Sequence, residues 1–187
     1  MNKNNLFSSL TLLGLFVFSS CNLDLAPEDT LSPKTYFKNG PQLELWTNHF
    51  YSLFPDVDDL AKQNADDNIS SELGETLMGQ RSAASENGWT WERLRDINYY
   101  LQHSNQCPDE HVRKQYDGVA YFFRAYFYFD KVKRYGDVPW YDQVLNSNDD
   151  KLLAKPRQDR EIIMDSVMQD LDKAIGMLPT KKDQVRG

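Results

Sequence analysis

The residue types that most often do chemistry are present in this 187-residue chain, but they are poorly spaced for it. His103 and Cys107 stand four apart, enough for two metal ligands at a helix end, and no third or fourth ligand follows at a metal-site spacing. His49 and His111 have no such partner either. Asp56, Asp58 and Asp59 open like a calcium loop, but the fifth position of that loop is Leu60 and its glycine position is Ala61. Asp66, Asp67 and Asn68 form a second polar cluster, and a solvated acidic loop accounts for both. The chain has no H-E-x-x-H, no phosphate-cradling glycine loop and no nucleophile elbow. Its carboxylates lack a spacing that nominates an acid/base pair, so a secreted hydrolase is the weakest reading. No catalytic residue, no metal and no cofactor is expected. Binding chemistry is better served. Trp89 stands where a polar loop meets a helix, and an indole there can offer a flat apolar face with a polar edge to a ligand.

Such residues need helices to position them. Residues 119–140 read V-A-Y-F-F-R-A-Y-F-Y-F-D-K-V-K-R-Y-G-D-V-P-W. Val119, Phe123 and Tyr126 fall on one side of a helix, with Phe122 and Phe129 beside them; Tyr121, Ala125, Tyr128 and Val132 fall behind. A helix apolar on all sides is enclosed by neighbours on more than one. Pro108-Asp109-Glu110 begins it with acidic residues, Lys131, Lys133 and Arg134 suit the dipole at its end, Gly136 offers a left-handed cap and Pro139 stops the chain continuing. Arg124 is the anomaly: buried among Phe122, Phe123 and Tyr126, it would need a carboxylate partner.

Three further helices follow from spacing. In 41–54, Leu43, Trp46, Phe50 and Leu53/Phe54 form one stripe, and Pro55 ends it; Trp46 and Phe50 are expected in the core. Trp91, Leu94, Asn98 and Leu101 mark the inward face of a helix running to about Gln106. After Asp159 as N-cap, Ile163, Val167, Leu171, Ala174 and Leu178 give a clean stripe closed by Pro179. Residues 136–155 read as an extended crossover between the last two helices. Residues 56–89, rich in Asp, Asn, Ser and Gly, show no apolar period and form a long irregular loop of the kind that is functional or disordered. The fold class expected is all-α, about four main helices with long irregular loops.

Composition fits one domain with a real core: 40% of residues are hydrophobic and 13% aromatic. A net charge of −7 argues against nucleic acid as a partner. At the start, Lys3 precedes an apolar run from Leu6 to Phe18, then Ser19-Ser20-Cys21. That run is of signal-peptide length and too short to span a membrane. Small residues before the cysteine resemble a bacterial lipoprotein signal over 1–20, with Cys21 lipidated as the mature N-terminus, although Phe18 stands where Leu is usual. An ordinary signal peptide with an incidental cysteine is the alternative. Lipid on Cys21 would anchor the chain without spanning. Residues 22–29, N-L-D-L-A-P-E-D, read as an extended tether within a 21–40 N-terminal segment. With Cys21 so engaged, no disulfide to Cys107 is expected.

The F-F-R-A-Y-F-Y-F-D-K-V-K-R-Y-G-D-V-P-W run resembles the most recognisable segment of the SusD/RagB family, and L-D-L-x-P at 23–27 and R-x-x-R-E-I-I-M-D-S-V-M-Q-D-L-D-K-A-I-G-M-L-P at 157–179 match it again. The resemblance implies an outer-membrane lipoprotein, lipid-anchored and surface-exposed, that binds an oligosaccharide and partners a TonB-dependent, SusC-like transporter. It implies a tetratricopeptide-like helical domain over 41–187, with the C-terminal part of the family architecture missing; no strict 34-residue repeat is visible. It places Trp89, Arg81 and Asp67 on the glycan-facing surface, with Trp91 and Asn98 behind them. It also nominates Asp170 as the partner of Arg124. The alternative function is a helical protein–protein module that docks the transporter without a ligand site of its own.

Overall fold

The computed structural model describes residues 35–57, 78–80, 82 and 88–180, all within the unit Thr35–Gly187. Cys21, Asp67 and Arg81 lie outside the described residues, as do the signal segment, the tether as far as residue 34 and most of the 56–89 loop. Five helices are described: α1 Gly40–Asn48, α2 Glu92–His103, α3 Glu110–Tyr135, the one-turn α4 Asp150–Leu153, and α5 Arg160–Met177. Among the described residues there is no strand, only an isolated antiparallel bridge between Val138 and Gln158. The all-α expectation holds.

Three of the helices, α1, α3 and α5, start where a side chain satisfies an orphan amide, whereas α2 begins after Trp91 with no side-chain cap. Asn39 caps α1 by accepting from the Gln42 amide, Asp109 caps α3 by accepting from the Val112 amide, and Asp159 caps α5 by accepting from the Glu161 amide. Gly136 ends α3 with φ of 70°, a conformation that L side chains avoid. The stripe over 41–54 is not one α-helix. α1 stops at Asn48 and tightens into a 3₁₀ turn, His49–Leu53, which buries Phe50 against Tyr100 and Phe123 with ring centroids 6.1 and 6.0 Å apart. The crossover is also less extended than expected, since α4 interrupts it.

α3 and α5 run antiparallel. Gly118 of α3 lies against Met177 and Leu178, where an added Cβ would come within 3.0 Å of Leu178. At the opposite end the Arg160 amide donates to the Asp137 carboxylate at 3.0 Å. Two apolar clusters use the two halves of α3. Phe37, Leu43, Phe50, Ile97, Tyr100 and Phe123 join α1 and α2 to its first half. Leu94, Phe127, Tyr128, Val138, Ile163 and Val167 join α2 and α5 to its second. Between them sits Arg124, 5% exposed, donating from Nε and Nη2 to the two carboxylate oxygens of Asp170 at 2.6 and 2.9 Å. The nominated partner is the observed one.

Three details depart from the helical-face reading. Phe129 is 49% exposed, so α3 is open along one flank instead of enclosed all round. Lys131 serves the interior, not the dipole, and is buried; only Lys133 and Arg134 occupy the last turn. The buried face of α2 is Leu94, Ile97, Asn98 and Tyr100, with Leu101 and Trp91 only half-buried.

Candidate binding groove

After Gly136 turns the chain, residues 138–143 cross α3 and α2 as a wall, pinned by side chains that reach its backbone. The Gln158 backbone N–H donates to the Val138 carbonyl at 3.0 Å, and the Gln158 side-chain Oε1 accepts from the Trp140 backbone N–H at 3.1 Å. Lys155 Nζ donates to the Trp140 carbonyl at 3.0 Å. From α3, the Tyr128 hydroxyl accepts from the Tyr141 amide at 2.6 Å and donates to the Tyr141 carbonyl at 3.2 Å. Burial pushes the Tyr128 phenol far above its ordinary range, so it keeps the proton that this second bond requires. From α2, Asn98 Nδ2 donates to the Tyr141 and Gln143 carbonyls at 3.0 and 3.2 Å. Asn98 is itself held, because its Oδ1 accepts from Arg124 Nη1 at 3.2 Å. The pairing of Asp170 with Arg124 thus continues through Asn98 into the wall.

Between this wall, the start of α2 and residues 153–157 lies a groove of about 660 Å³. Trp89, Trp91, Leu94, Pro139, Tyr141 and Leu153 contribute apolar surface; Glu92, Arg95, Gln143, Lys155 and Arg157 contribute polar groups. That mixture, apolar walls with a few placed polar groups, is the usual make-up of a small-molecule site. Trp89 is 39% exposed and meets Trp91 and Tyr135 edge-on, with centroids 5.2 and 4.8 Å apart. Trp91 meets Tyr141 edge-on at 5.5 Å. The Arg157 guanidinium lies 4.7 Å from the Trp89 ring centroid.

The opposite flank is pinned as well. Lys131 Nζ donates to the Gly88 carbonyl, one residue before Trp89, from a pocket of aromatic rings in which Phe127 is 4.8 Å and Trp91 5.8 Å away. Burial draws the Lys131 pKa below its ordinary value, partly offset by the Asp130 carboxylate.

Of the five ligand candidates, Trp89, Trp91 and Asn98 line this one groove. Both amide donors of Asn98 are committed to wall carbonyls, so its geometry suits holding the groove's shape more than touching a ligand. Arg81 and Asp67 lie outside the described residues. Tyr141, Gln143, Lys155 and Arg157 were not singled out by spacing; the V-P-W-Y and K-P-R runs that hold three of them were legible only as crossover and helix approach. A second, more polar cavity of about 480 Å³ shares Asn98 and Gln143 and is lined by Tyr121, Arg124, Asp142 and Lys173. Among the described residues no three His, Cys, Asp or Glu side chains converge as a metal site, and Cys107 is a buried free thiol. Nor, among them, is any helix long and apolar enough to cross a membrane.

Comparison with known proteins bears on what this groove belongs to. Residues 44–186 match the SusD-like family model described as "Starch-binding associating with outer membrane". The chain is 26% identical to the SusD-like protein P38 of Formosa agariphila, over 92% of this chain and 37% of that protein. It also superposes on the crystal structure of a SusD-like protein from Bacteroides fragilis with a TM-score of 0.68 and 25% identity, over 85% of this chain and 34% of that one. The chain thus spans little more than a third of the length of either relative. The helical arrangement is the tetratricopeptide-like one of these proteins. With most of its length inside the family model, this chain belongs to the SusD-like family of outer-membrane-associated starch-binding proteins.

Proposed function

We propose that the groove binds an oligosaccharide, and that the chain delivers it to a TonB-dependent, SusC-like transporter while anchored to the outer membrane, on the cell surface, by lipid on Cys21. The observation that carries the reading is the convergence of Trp89, Trp91 and Tyr141 on one groove of about 660 Å³ that also holds hydrogen-bonding groups. Sugar rings present apolar C–H faces and polar hydroxyl edges, and aromatic surface beside polar side chains answers both. Such binding needs no proton transfer and no cofactor; the protein is a receptor and not an enzyme. The family's description supports the glycan and the membrane.

Titration calorimetry with a panel of oligosaccharides tests this. Wild-type chain should bind at least one of them, and Trp89→Ala should weaken that binding roughly tenfold or more, as truncation of an aromatic anchor does. Trp89 is exposed enough that its loss should leave the fold intact.

A second reading has one observation in its favour. Ile162, Met168 and Ile175 on α5 are 53%, 54% and 75% exposed, apolar surface suited to gripping a protein. If the chain were only a transporter-docking module, Trp89→Ala would leave glycan binding by the complex unchanged.

A further inference from the structure

Among the described residues, the groove lining is charged opposite to the chain as a whole. The whole sequence carries −7, yet among the described residues Arg95, Lys155 and Arg157 line the groove with Glu92 as the one carboxylate. Among the described residues none of these three cations pairs with a carboxylate. Two are held by neutral partners. The Arg157 guanidinium lies 4.7 Å from the Trp89 ring centroid, and Lys155 Nζ donates to the Trp140 carbonyl at 3.0 Å. An aromatic face or a carbonyl orders a cation without cancelling its charge, whereas a carboxylate does both. Cations used only for solubility need no such ordering. Cations that must meet an anion gain from it, because less side-chain freedom is lost on binding.

We infer that the groove selects an anionic oligosaccharide, one bearing carboxylate or sulfate groups, with Arg157 and Lys155 receiving the charges and Trp89, Trp91 and Tyr141 receiving the ring faces. This rests on the reading of the groove as a glycan site and adds the chemical class of the glycan. Arg157 stands beside the indole itself, so a ring against Trp89 would bring its acidic substituent within reach of the guanidinium. Charge-assisted hydrogen bonds from guanidinium to carboxylate or sulfate are stronger than those to hydroxyls, and they weaken with salt where exposed.

The test compares three probes on the full chain by calorimetry: hexagalacturonate for the carboxylate, a carrageenan hexasaccharide for the sulfate, and maltohexaose as the neutral control. At least one acidic probe should bind about tenfold tighter than maltohexaose at low ionic strength, with the advantage shrinking as salt is added. The Lys155→Gln/Arg157→Gln variant should bind the acidic probe no better than the neutral one, while Arg157→Lys, which keeps the charge, should retain part of the preference. Which acidic probe wins identifies the substituent. Maltohexaose binding as tightly as both acids, independent of salt, would overturn the inference and leave the glycan groove standing. Absence of binding by all three would remove the groove reading and this inference with it.

Discussion

Replacing Arg124 by Met would remove a guanidinium that donates twice to Asp170 and once to Asn98, all within the interior. Asp170, 1% exposed, would keep only Lys173 at 3.3 Å. A buried ion pair adds little net stability over apolar residues, because desolvating both charges offsets their attraction, but stranding one partner is costly. Arg124→Met should therefore destabilise the chain by about 3–5 kcal/mol, and Arg124→Met/Asp170→Leu should recover most of that loss. Denaturant unfolding of the two variants measures both. At this scale the sequence was informative about one partner and not the other. A lone charge among Phe122, Phe123 and Tyr126 requires an opposite charge, whereas a third contact to Asn98 depends on an angle between helices that no local pattern encodes. Lys131 is the converse case. Its position near the end of α3 suits a dipole contact as well as an inward one, and only the Gly88 carbonyl and the surrounding rings distinguish the two. Phe37 is fully buried with φ of 64°, a left-handed backbone for an aromatic residue, and nothing in its neighbours' types announces that.

Among elements, the four main helices were legible, while the one-turn α4 and the wall were not. Caps at Asp109 and Asp159, the glycine after α3 and the apolar periods are all local signals, so α3 and α5 fall where spacing puts them. The α1 stripe overran because a 3₁₀ turn keeps apolar residues at similar intervals while tightening the backbone. The 138–143 wall is held mainly through its own carbonyls and amides, and a backbone acceptor has no residue type to read. Its role is testable through Asn98→Asp. The variant can still accept from Arg124 but cannot donate to Tyr141 and Gln143, and it sets a carboxylate against their carbonyls. Amide exchange at Tyr141, whose N–H is otherwise protected by the Tyr128 hydroxyl, should accelerate roughly tenfold or more as the wall opens, with α3 and α5 amides unchanged. Unaltered exchange at Tyr141 would mean that Tyr128 and Gln158 hold the wall without help from α2.

For the whole molecule, α2, α3 and α5 form the frame, the 138–158 crossover is laid over it, and Trp89 is brought in by Lys131 acting on the preceding carbonyl. Family membership accounts for the frame; the proposed glycan groove is lined by side chains of α2, the crossover and the approach to α5. The central claim is that sugar occupies this groove, so the most direct measurement is a crystal structure of the chain with a bound oligosaccharide. Sugar rings against Trp89, Trp91 and Tyr141, with Arg157 or Lys155 within hydrogen-bonding distance, are the predicted result. Sugar bound elsewhere, for instance along the exposed flank at Phe129, with the groove holding only water, would contradict it.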